Sequence, residues 1–160
     1  ISTPRGVEHL HVVIANSIRT RTQAMEKAPI GITLTDPNQP DNPMVYANQR
    51  FCEMTGYEES EIRDRNCRFM QGPETDTEPV AEIRNPIDNE EPATTVHRNY
   101  RKHGTMFRNR LTIAPVRNTD GEVSNWVGFQ ADVSERIERE QQPELAETGF
   151  ENTQDALFIC

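Results

Sequence analysis

The sequence predicts an α+β fold in which a five-stranded antiparallel sheet carries several short helices and has a flanking helix at each end. Three observations predict this architecture. Residues 8–27 place apolar side chains at helical spacing, residues 30–47 contain two short strand-like runs, and residues 94–133 contain three longer runs separated by hairpin turns. Strands joined by turns pair antiparallel, so we expect one antiparallel sheet.

The first helix is predicted from an apolar stripe that recurs every three or four residues and ends before Pro29. Such a stripe has to be covered. We expect either pairing with a second copy, which would make the protein a homodimer through its flanking helices, or packing on the protein's own sheet. The stripe consists of Leu10, Val13, Ile14, Ile18 and Met25.

The next segment predicts a hairpin. Residues 30–36 (IGITLTD) are rich in β-branched side chains, which favour a strand. Residues 37–43 (PNQPDNP) are dense in turn formers and predict a loop. Met44–Ala47 then forms the returning strand.

Three short helices are predicted between this hairpin and the remaining strands. The first, over residues 48–56, has Asn48 to cap its start and Gly56 at its end. The third should stop just before Pro86, because proline lacks the backbone N–H that continues a helix. The second and third cover residues 58–63 and 77–87.

Three strands are predicted in the last third of the chain, separated by hairpin turns with the sequences HG at residues 103–104 and NTDG at residues 118–121. A charged helix with a capping residue at its start follows at residues 134–142 (SERIEREQQ), until Pro143 interrupts it. The three strands cover residues 94–101, 105–116 and 123–133.

The excess of acidic over basic residues disfavours some classes of protein. The chain has 26 acidic and 17 basic residues, a formal net charge of −9. Repulsion from phosphates therefore disfavours a general nucleic-acid role. All the basic residues except Lys27 and Lys102 are arginines. Excess acid with almost no lysine suits a protein from a salt-adapted source, because salt screens the self-repulsion.

Other features exclude further classes. No apolar run exceeds five residues, whereas a membrane helix needs about 20. Three cysteines cannot all pair within one chain, so we expect a reducing, cytoplasmic location rather than a disulfide scaffold. His9 and His11 alone make a poor metal site. Because the chain starts at Ile1 rather than Met, we expect a fragment of a longer protein.

The strand faces carry the first functional indication. Along residues 105–116, the face that should be buried has one polar member, Asn109, among Phe107, Leu111 and Ile113. On the next strand, Gln130 shares a face with Trp126 and with Gly128, which leaves space beside the amide.

Buried amides need hydrogen-bond partners. Asn99 is a third amide in this part of the sheet, although its face is less well defined by the pattern. Two interpretations are open. The amides in the sheet hydrogen-bond to one another or to bound water, or alternatively they bind a planar heteroaromatic ligand. An amide offers both a donor and an acceptor, which suits the edge of an imide ring.

Residues 66–71 (NCRFMQ) combine several reactive and polar groups. On a helical turn, Cys67 and Gln71 are four residues apart and share a face. Arg68 could converge with Arg84 from the following helix to hold a phosphate. The competing interpretation is that Cys67 is a small buried hydrophobe and that the arginines are solvated.

Residues 64–72 (DRNCRFMQG), followed by PETD, closely resemble the signature of the light-oxygen-voltage (LOV) photoreceptors, a flavin-binding branch of the PAS family. The resemblance continues over about residues 28–133, through segments such as YAN at 46–48, FRN at 107–109 and GFQ at 128–130. It implies a PAS/LOV domain at 28–133, a flanking helix at 1–27, and at 134–160 a linker helix with the start of a further module, as in haloarchaeal multi-domain regulators.

The resemblance also implies roles for individual residues. In that family the cysteine, here Cys67, attacks photoexcited flavin at carbon C4a and forms a reversible adduct. Gln130 falls on the glutamine that changes its hydrogen bonds when flavin N5 is protonated. The family's phosphate-binding arginines fall on Arg68 and Arg84, and its isoalloxazine- and ribityl-binding amides fall on Asn66, Gln71, Asn99 and Asn109.

Four positions depart from the family pattern. Asp64 replaces the usual glycine, which should alter the turn into the cysteine helix. Met70 replaces the commoner leucine and places a polarizable thioether near the ring, which should change the adduct lifetime. Leu111 and Trp126 stand where aromatic and phenylalanine residues are common. Trp126 either stacks on or quenches the flavin, or fills the core.

The sequence therefore predicts a photosensory domain, not an enzyme, that binds flavin mononucleotide (FMN) and signals to a downstream module. Gln130 should rotate its amide and shift the flanking helices. The alternatives are a flavin-based redox sensor and a cofactor-free PAS interaction domain. A turnover enzyme has least support, since no paired carboxylates or base–nucleophile couple is evident. The two arginines leave flavin adenine dinucleotide open, although the family usually takes FMN.

Overall fold

A computed structural model describes residues 4–75 and 84–141 of the chain. Five strands form one antiparallel sheet in the order β2-β1-β5-β4-β3. The predicted α+β fold is confirmed. The strands are β1 (Gly31–Thr35), β2 (Met44–Ala47), β3 (Ala93–Tyr100), β4 (Met106–Arg117) and β5 (Val123–Asp132). The helices are α1 (Pro4–Glu26), α2 (Gln49–Thr55), α3 (Glu59–Ile62), a 3-10 helix (Cys67–Met70) and α4 (Ser134–Glu140). Residues 84–88 are helical as well.

The first and last strands meet at the centre of the sheet. β1 pairs with β2 on one side and with β5 on the other, and the register sets Thr33 opposite Gly128. β4 lies between β5 and β3, so that Leu111 is opposite Gln130 and His97 is opposite Asn109. The three hairpins are those that the turn sequences predict.

The caps of α2 follow the sequence. The Asn48 side chain accepts a hydrogen bond from Phe51 N over 3.0 Å, which satisfies one of the free N–H groups at the helix start. Gly56 ends the helix with φ of 79°, in the left-handed region that glycine adopts without strain.

Two helix boundaries differ from the prediction. Residues 84–88 are helical, so this helix does not stop before Pro86. Pro86 donates no hydrogen bond, but its carbonyl still accepts one from Glu91 N over 2.8 Å. Ser134 is the first residue of α4 rather than its cap, which is Val133. The Ser134 hydroxyl instead accepts from Arg108 N over 2.9 Å and fastens α4 to β4.

The core lies between one face of the sheet and the short helices. Along β4 the buried face is the predicted one, with Asn109 fully buried beside Phe107. On β5 the face of Gln130 is buried, whereas Phe129 on the other face is 37% exposed. The apolar cluster comprises Met44, Ala47, Phe51, Met54, Ile62, Met70 and Phe107.

Helix α1 stands apart from this core. Every residue from Gly6 to Ala24 is exposed, including Leu10, Val13, Ile14 and Ile18 of the apolar stripe. Its C-terminal end is fixed to the domain, because Glu26 accepts hydrogen bonds from the Tyr46 hydroxyl over 2.7 Å and from Gln49 N over 3.0 Å.

Part of the sequence prediction lies outside the described residues, namely the start of the helix at 77–87 and everything beyond residue 141. Within the ranges that are described, no helix is long and apolar enough to span a membrane. In those same ranges, no three His, Cys, Asp or Glu side chains come together as a metal site.

Candidate functional site

A cavity opens between the buried face of the sheet and the 3-10 helix. Its empty space, including the mouth that is open to solvent, is about 800 Å³. Of the residues proposed from the sequence, those that line it are Cys67, Met70, Gln71, Asn99, Asn109, Leu111, Trp126 and Gln130.

The 3-10 helix holds Cys67 at the cavity wall. Asn66 Oδ1 accepts from Arg68 N over 3.0 Å and caps this helix, and Phe69 packs edge-on against Tyr57 with ring centroids 4.9 Å apart. Cys67 is exposed to the cavity and solvent, yet the protein around it desolvates the thiol. This desolvation raises the pKa of Cys67 and outweighs the opposing charge of Arg68. The thiol is therefore protonated at neutral pH.

The floor of the cavity is a chain of hydrogen-bonded side chains. Asn109 Nδ2 donates to Asn99 Oδ1 and to Gln130 Oε1, each over 2.9 Å. Gln130 Nε2 in turn donates to the hydroxyl of Thr33 over 3.1 Å. All four side chains are at most 3% exposed. The amides thus bond to one another, as one of the two interpretations of the sequence expects.

The amides do not satisfy themselves completely. Within the described residues, Asn109 Oδ1 is buried and has no hydrogen-bond donor, although it belongs to a residue that lines the cavity. Asn42 Oδ1, from the β1–β2 loop, is in the same situation. An unpaired buried carbonyl oxygen is costly, so both atoms favour a ligand that brings N–H or O–H donors into the cavity.

The walls on either side of this floor are mostly apolar. Met70 and Trp126 are 3% and 8% exposed and line the cavity from opposite elements, the 3-10 helix and β5. Leu111 and Ile113 add the aliphatic surface of β4. Apolar walls with amides at one edge suit a flat heteroaromatic ring.

Three residues proposed from the sequence do not line the cavity. Asn66 donates through Nδ2 to the carbonyl of Asp41 over 2.7 Å, and Arg68 forms an ion pair with the Asp41 carboxylate at 2.5 Å. Both Arg68 and Asp41 are exposed. Arg84 is also exposed, one helical turn before Ile87, which does line the cavity.

Comparison with known proteins assigns the family. The family model described as PAS domain matches residues 29–135. The chain belongs to the PAS family. A solved structure of a light-oxygen-voltage domain, from work with a flavin analogue, is 44% identical and superimposes with a TM-score of 0.68, covering 78% of this chain and 93% of that one. The chain is thus a PAS domain of the LOV type.

Two curated relatives are much longer than this chain. The bacterioopsin transcriptional activator of Halobacterium salinarum is 41% identical over 131 residues, which is 82% of this chain and 19% of that protein. A blue-light-activated histidine kinase of Brucella anthropi is 38% identical over 140 residues, 85% of this chain and 28% of that protein. This LOV domain therefore spans about a fifth to a quarter of these relatives' length.

Asp64, the departure from the LOV signature that precedes the cysteine helix, keeps a left-handed backbone. Its φ is 65°, a conformation that glycine adopts freely. Its N–H donates to the carbonyl of Met44 over 2.9 Å, and Met44 N donates back to Arg65 O over 2.9 Å. The turn of this LOV domain is thus held to β2, with a strained residue at its corner.

Several residues that line the LOV cavity escaped the sequence interpretation. Thr33 and Thr35 come from β1, whose pairing with β5 joins segments about 100 residues apart. His97 alternates with Asn99 on β3, so strand periodicity could have identified it. The other missed residues are Asn42, Met44, Ile87, Ile113, Val127 and, as part of the lining, Gly128.

Proposed function

We propose that this LOV domain binds FMN in the cavity and senses blue light through reversible bonding of Cys67 to the flavin. The single observation that carries the proposal is the pairing of a cavity-facing cysteine with a buried amide floor in which Asn109 Oδ1 still lacks a donor. The LOV-type relatives support a light-sensing role, and one of them is named as a blue-light-activated kinase.

The cavity residues fit the flavin ring by their chemistry. Asn99, Asn109 and Gln130 present donors and acceptors from neighbouring strands and suit the imide edge of the ring. Met70, Leu111 and Trp126 would contact its faces. Gln71 and Asn42 lie on the same cavity and offer polar groups to the ribityl chain.

When bound, flavin would supply the absorbed light energy and the ring carbon C4a to which the thiol adds. The addition balances without another reactant, because the Cys67 sulfur bonds to C4a while the thiol proton goes to N5. The raised pKa of Cys67 keeps that proton on sulfur in the dark. Cys67 therefore needs proximity to the ring rather than a standing thiolate.

Gln130 is the proposed relay. In the resting protein its Oε1 accepts from Asn109 and its Nε2 donates to Thr33. When N5 carries a proton, a donor stands where an acceptor stood, and rotation of the Gln130 amide restores the match. The rotation would change hydrogen bonds on β1 and β4, the two strands that flank β5.

We assign the phosphate to Arg68, which follows Cys67 in the chain, and to Arg84, one helical turn before Ile87 of the cavity lining. Arg68 would have to share its guanidinium with Asp41, its present partner. Since both arginines are exposed, their contribution to affinity should be modest and sensitive to salt.

The signal would leave through the flanking helices. α4 is fastened to the sheet by Ser134, whose hydroxyl accepts from Arg108 N on β4 and whose N–H donates to Asp132 Oδ1 at the end of β5 over 3.0 Å. α1 exposes an apolar stripe suited to a second copy, so we propose a homodimer, with a signalling module beyond α4.

Reconstitution tests this function. The purified protein, in high salt, is incubated with FMN, with flavin adenine dinucleotide or with riboflavin, and its spectrum is recorded in the dark and after a blue pulse. We expect stoichiometric FMN binding and bleaching that recovers in the dark. Flavin that binds but never bleaches would favour a redox sensor, and failure to bind any flavin would favour a cofactor-free interaction domain.

A further inference from the structure

The Gln130 amide is held at both ends in the resting protein. Its oxygen faces Asn109 Nδ2 at 2.9 Å, and its nitrogen faces the Thr33 hydroxyl at 3.1 Å. Asn109 Nδ2 can only donate, so it favours the Gln130 oxygen on its side. Thr33 therefore faces the NH2 end of the amide in the resting protein. After rotation of the amide, Thr33 would face its carbonyl oxygen.

The contact between Thr33 and Gln130 depends on a gap in the sheet. Thr33 lies opposite Gly128 across the β1–β5 pairing, two residues from Gln130 on the same face. A Cβ on Gly128 would lie 2.7 Å from Thr33 Oγ1 and 3.6 Å from Gln130 Nε2. Since Gly128 has no side chain, the hydroxyl can reach diagonally to the amide.

The Thr33 hydroxyl differs from Asn109 Nδ2, the other partner of Gln130, because it can both accept and donate a hydrogen bond. It accepts from Nε2 in the resting orientation, and it can donate to Oε1 after the amide has turned. Thr33 can thus bond to Gln130 in both states. A valine of nearly the same shape could bond to it in neither and would leave the amide end unpaired.

Thr33 also connects Gln130 to the N-terminal helix. The adjacent residue Ile32 donates through its N–H to Asn48 Oδ1 and accepts from Asn48 N, both over 2.9 Å. Asn48 Nδ2 donates to the carbonyl of Met25 in the last turn of α1 over 2.9 Å. A displacement of β1 at Thr33 is therefore passed to α1 through hydrogen bonds of buried Asn48.

We propose that Thr33 is a positioning residue that sets the orientation of the Gln130 amide and couples its rotation to α1. The proposal deepens the proposed function and rests on it for the part that concerns light. The resting hydrogen bond from Gln130 to Thr33 does not depend on flavin, so it is testable on its own.

The first measurement is nuclear magnetic resonance of the Gln130 side-chain amide in glutamine-labelled protein, with and without FMN, assigned through Gln130→Leu. We expect Thr33→Val to shift this resonance and to speed its hydrogen exchange several-fold. Thr33→Ser, which keeps the hydroxyl, should restore it. Thr94→Val is the matched control, because it removes a hydroxyl paired with Thr112 on the opposite face of the sheet.

The second measurement is light-induced change in hydrogen exchange of the FMN-loaded protein. Compared at equal amounts of bleached protein, Thr33→Val should lose the light response of backbone amides in 25–32 while keeping that around 134–140. An unchanged Gln130 resonance in Thr33→Val, or equal effects of Thr33→Val and Thr33→Ser, would overturn the proposal. Failure of the unsubstituted protein to bleach would instead overturn the proposed function, and the resonance would still decide whether Thr33 holds Gln130.

Discussion

Asn109 donates to Gln130 Oε1 over 2.9 Å inside the sheet, and this bond determines which end of the Gln130 amide faces Thr33. Gln130→Leu should therefore leave light-induced bleaching intact and remove the structural response. Hydrogen exchange in α1 and α4, compared in the dark and in light, checks this. Gln49→Leu, an exposed amide on α2, is the control and should respond normally. A normal light response in Gln130→Leu would refute the relay.

Asp64→Gly should stabilise the protein. A left-handed conformation costs a non-glycine residue about 1–2 kcal/mol, and glycine gives back about 0.4–1 kcal/mol of chain entropy. Asp64 has φ of 65°, so we expect a net gain of about 0.5–1 kcal/mol in the free energy of unfolding in urea. Asp120→Gly, at a turn residue without positive φ, should give no gain. Equal effects at the two positions would contradict the strain at Asp64.

Asp41→Asn should strengthen FMN binding without affecting riboflavin. The substitution removes the charge that pairs with Arg68 at 2.5 Å and frees the guanidinium for the phosphate. An exposed ion pair is worth about 0.2–1 kcal/mol, so we expect a gain of about 1.5- to 5-fold in affinity. Titration with both flavins measures it. Arg68→Gln should reduce the difference between the affinities for FMN and for riboflavin. An unchanged FMN affinity in both variants would show that Arg68 does not bind the phosphate.

The ion pair of Arg101 with Asp132 should weaken in acid. Burial alone would raise the pKa of Asp132, but hydrogen bonds from Arg101 and Ser134 outweigh it and lower this pKa. A lowered pKa means that the pair stabilises the fold above the usual aspartate pKa of about 4, and that this is lost as pH falls further. Asp132→Asn should cost about 0.5–1 kcal/mol at pH 7, because solvent screens this partly exposed pair, and less at pH 3. A cost that grows in acid would contradict this sign.

The apolar stripe of α1 should mediate dimerisation. Ile14 lies on the stripe, whereas Val12 is on the opposite side of the helix, and both are about half exposed. Ile14→Glu should yield a monomer in light scattering after size-exclusion chromatography in high salt. Val12→Glu should remain dimeric. A monomeric unsubstituted protein at high concentration would exclude this role for the stripe.

Local sequence patterns predicted most of the fold, but they identified only some of the residues that line the cavity. Alternation along β4 and β5 identified Asn109 and Gln130 as buried amides before any partner was known, because each strand reports its own two faces. Thr33 could not be found in this way. Its contact with Gln130 depends on the register between β1 and β5, which is set by chain segments about 100 residues apart.

Tertiary hydrogen bonds and ion pairs explain the other differences between the sequence prediction and the structure. Ser134 looks like a cap, but its hydroxyl bonds to Arg108 N on β4, a partner that the local sequence does not reveal. Arg68 resembles a phosphate ligand, yet Asp41 from the β1–β2 loop already pairs with it. In both cases a tertiary contact, rather than local propensity, decides what the side chain does.

The most direct test of the account is the light-minus-dark absorbance spectrum of the FMN-loaded protein, compared with Cys67→Ala and Cys52→Ala. Cys67 lines the cavity, whereas Cys52 is half-buried on α2 and packs against the apolar core. We predict reversible bleaching in the unsubstituted protein and in Cys52→Ala, and none in Cys67→Ala. Reversible bleaching of equal size in Cys67→Ala would contradict the central claim.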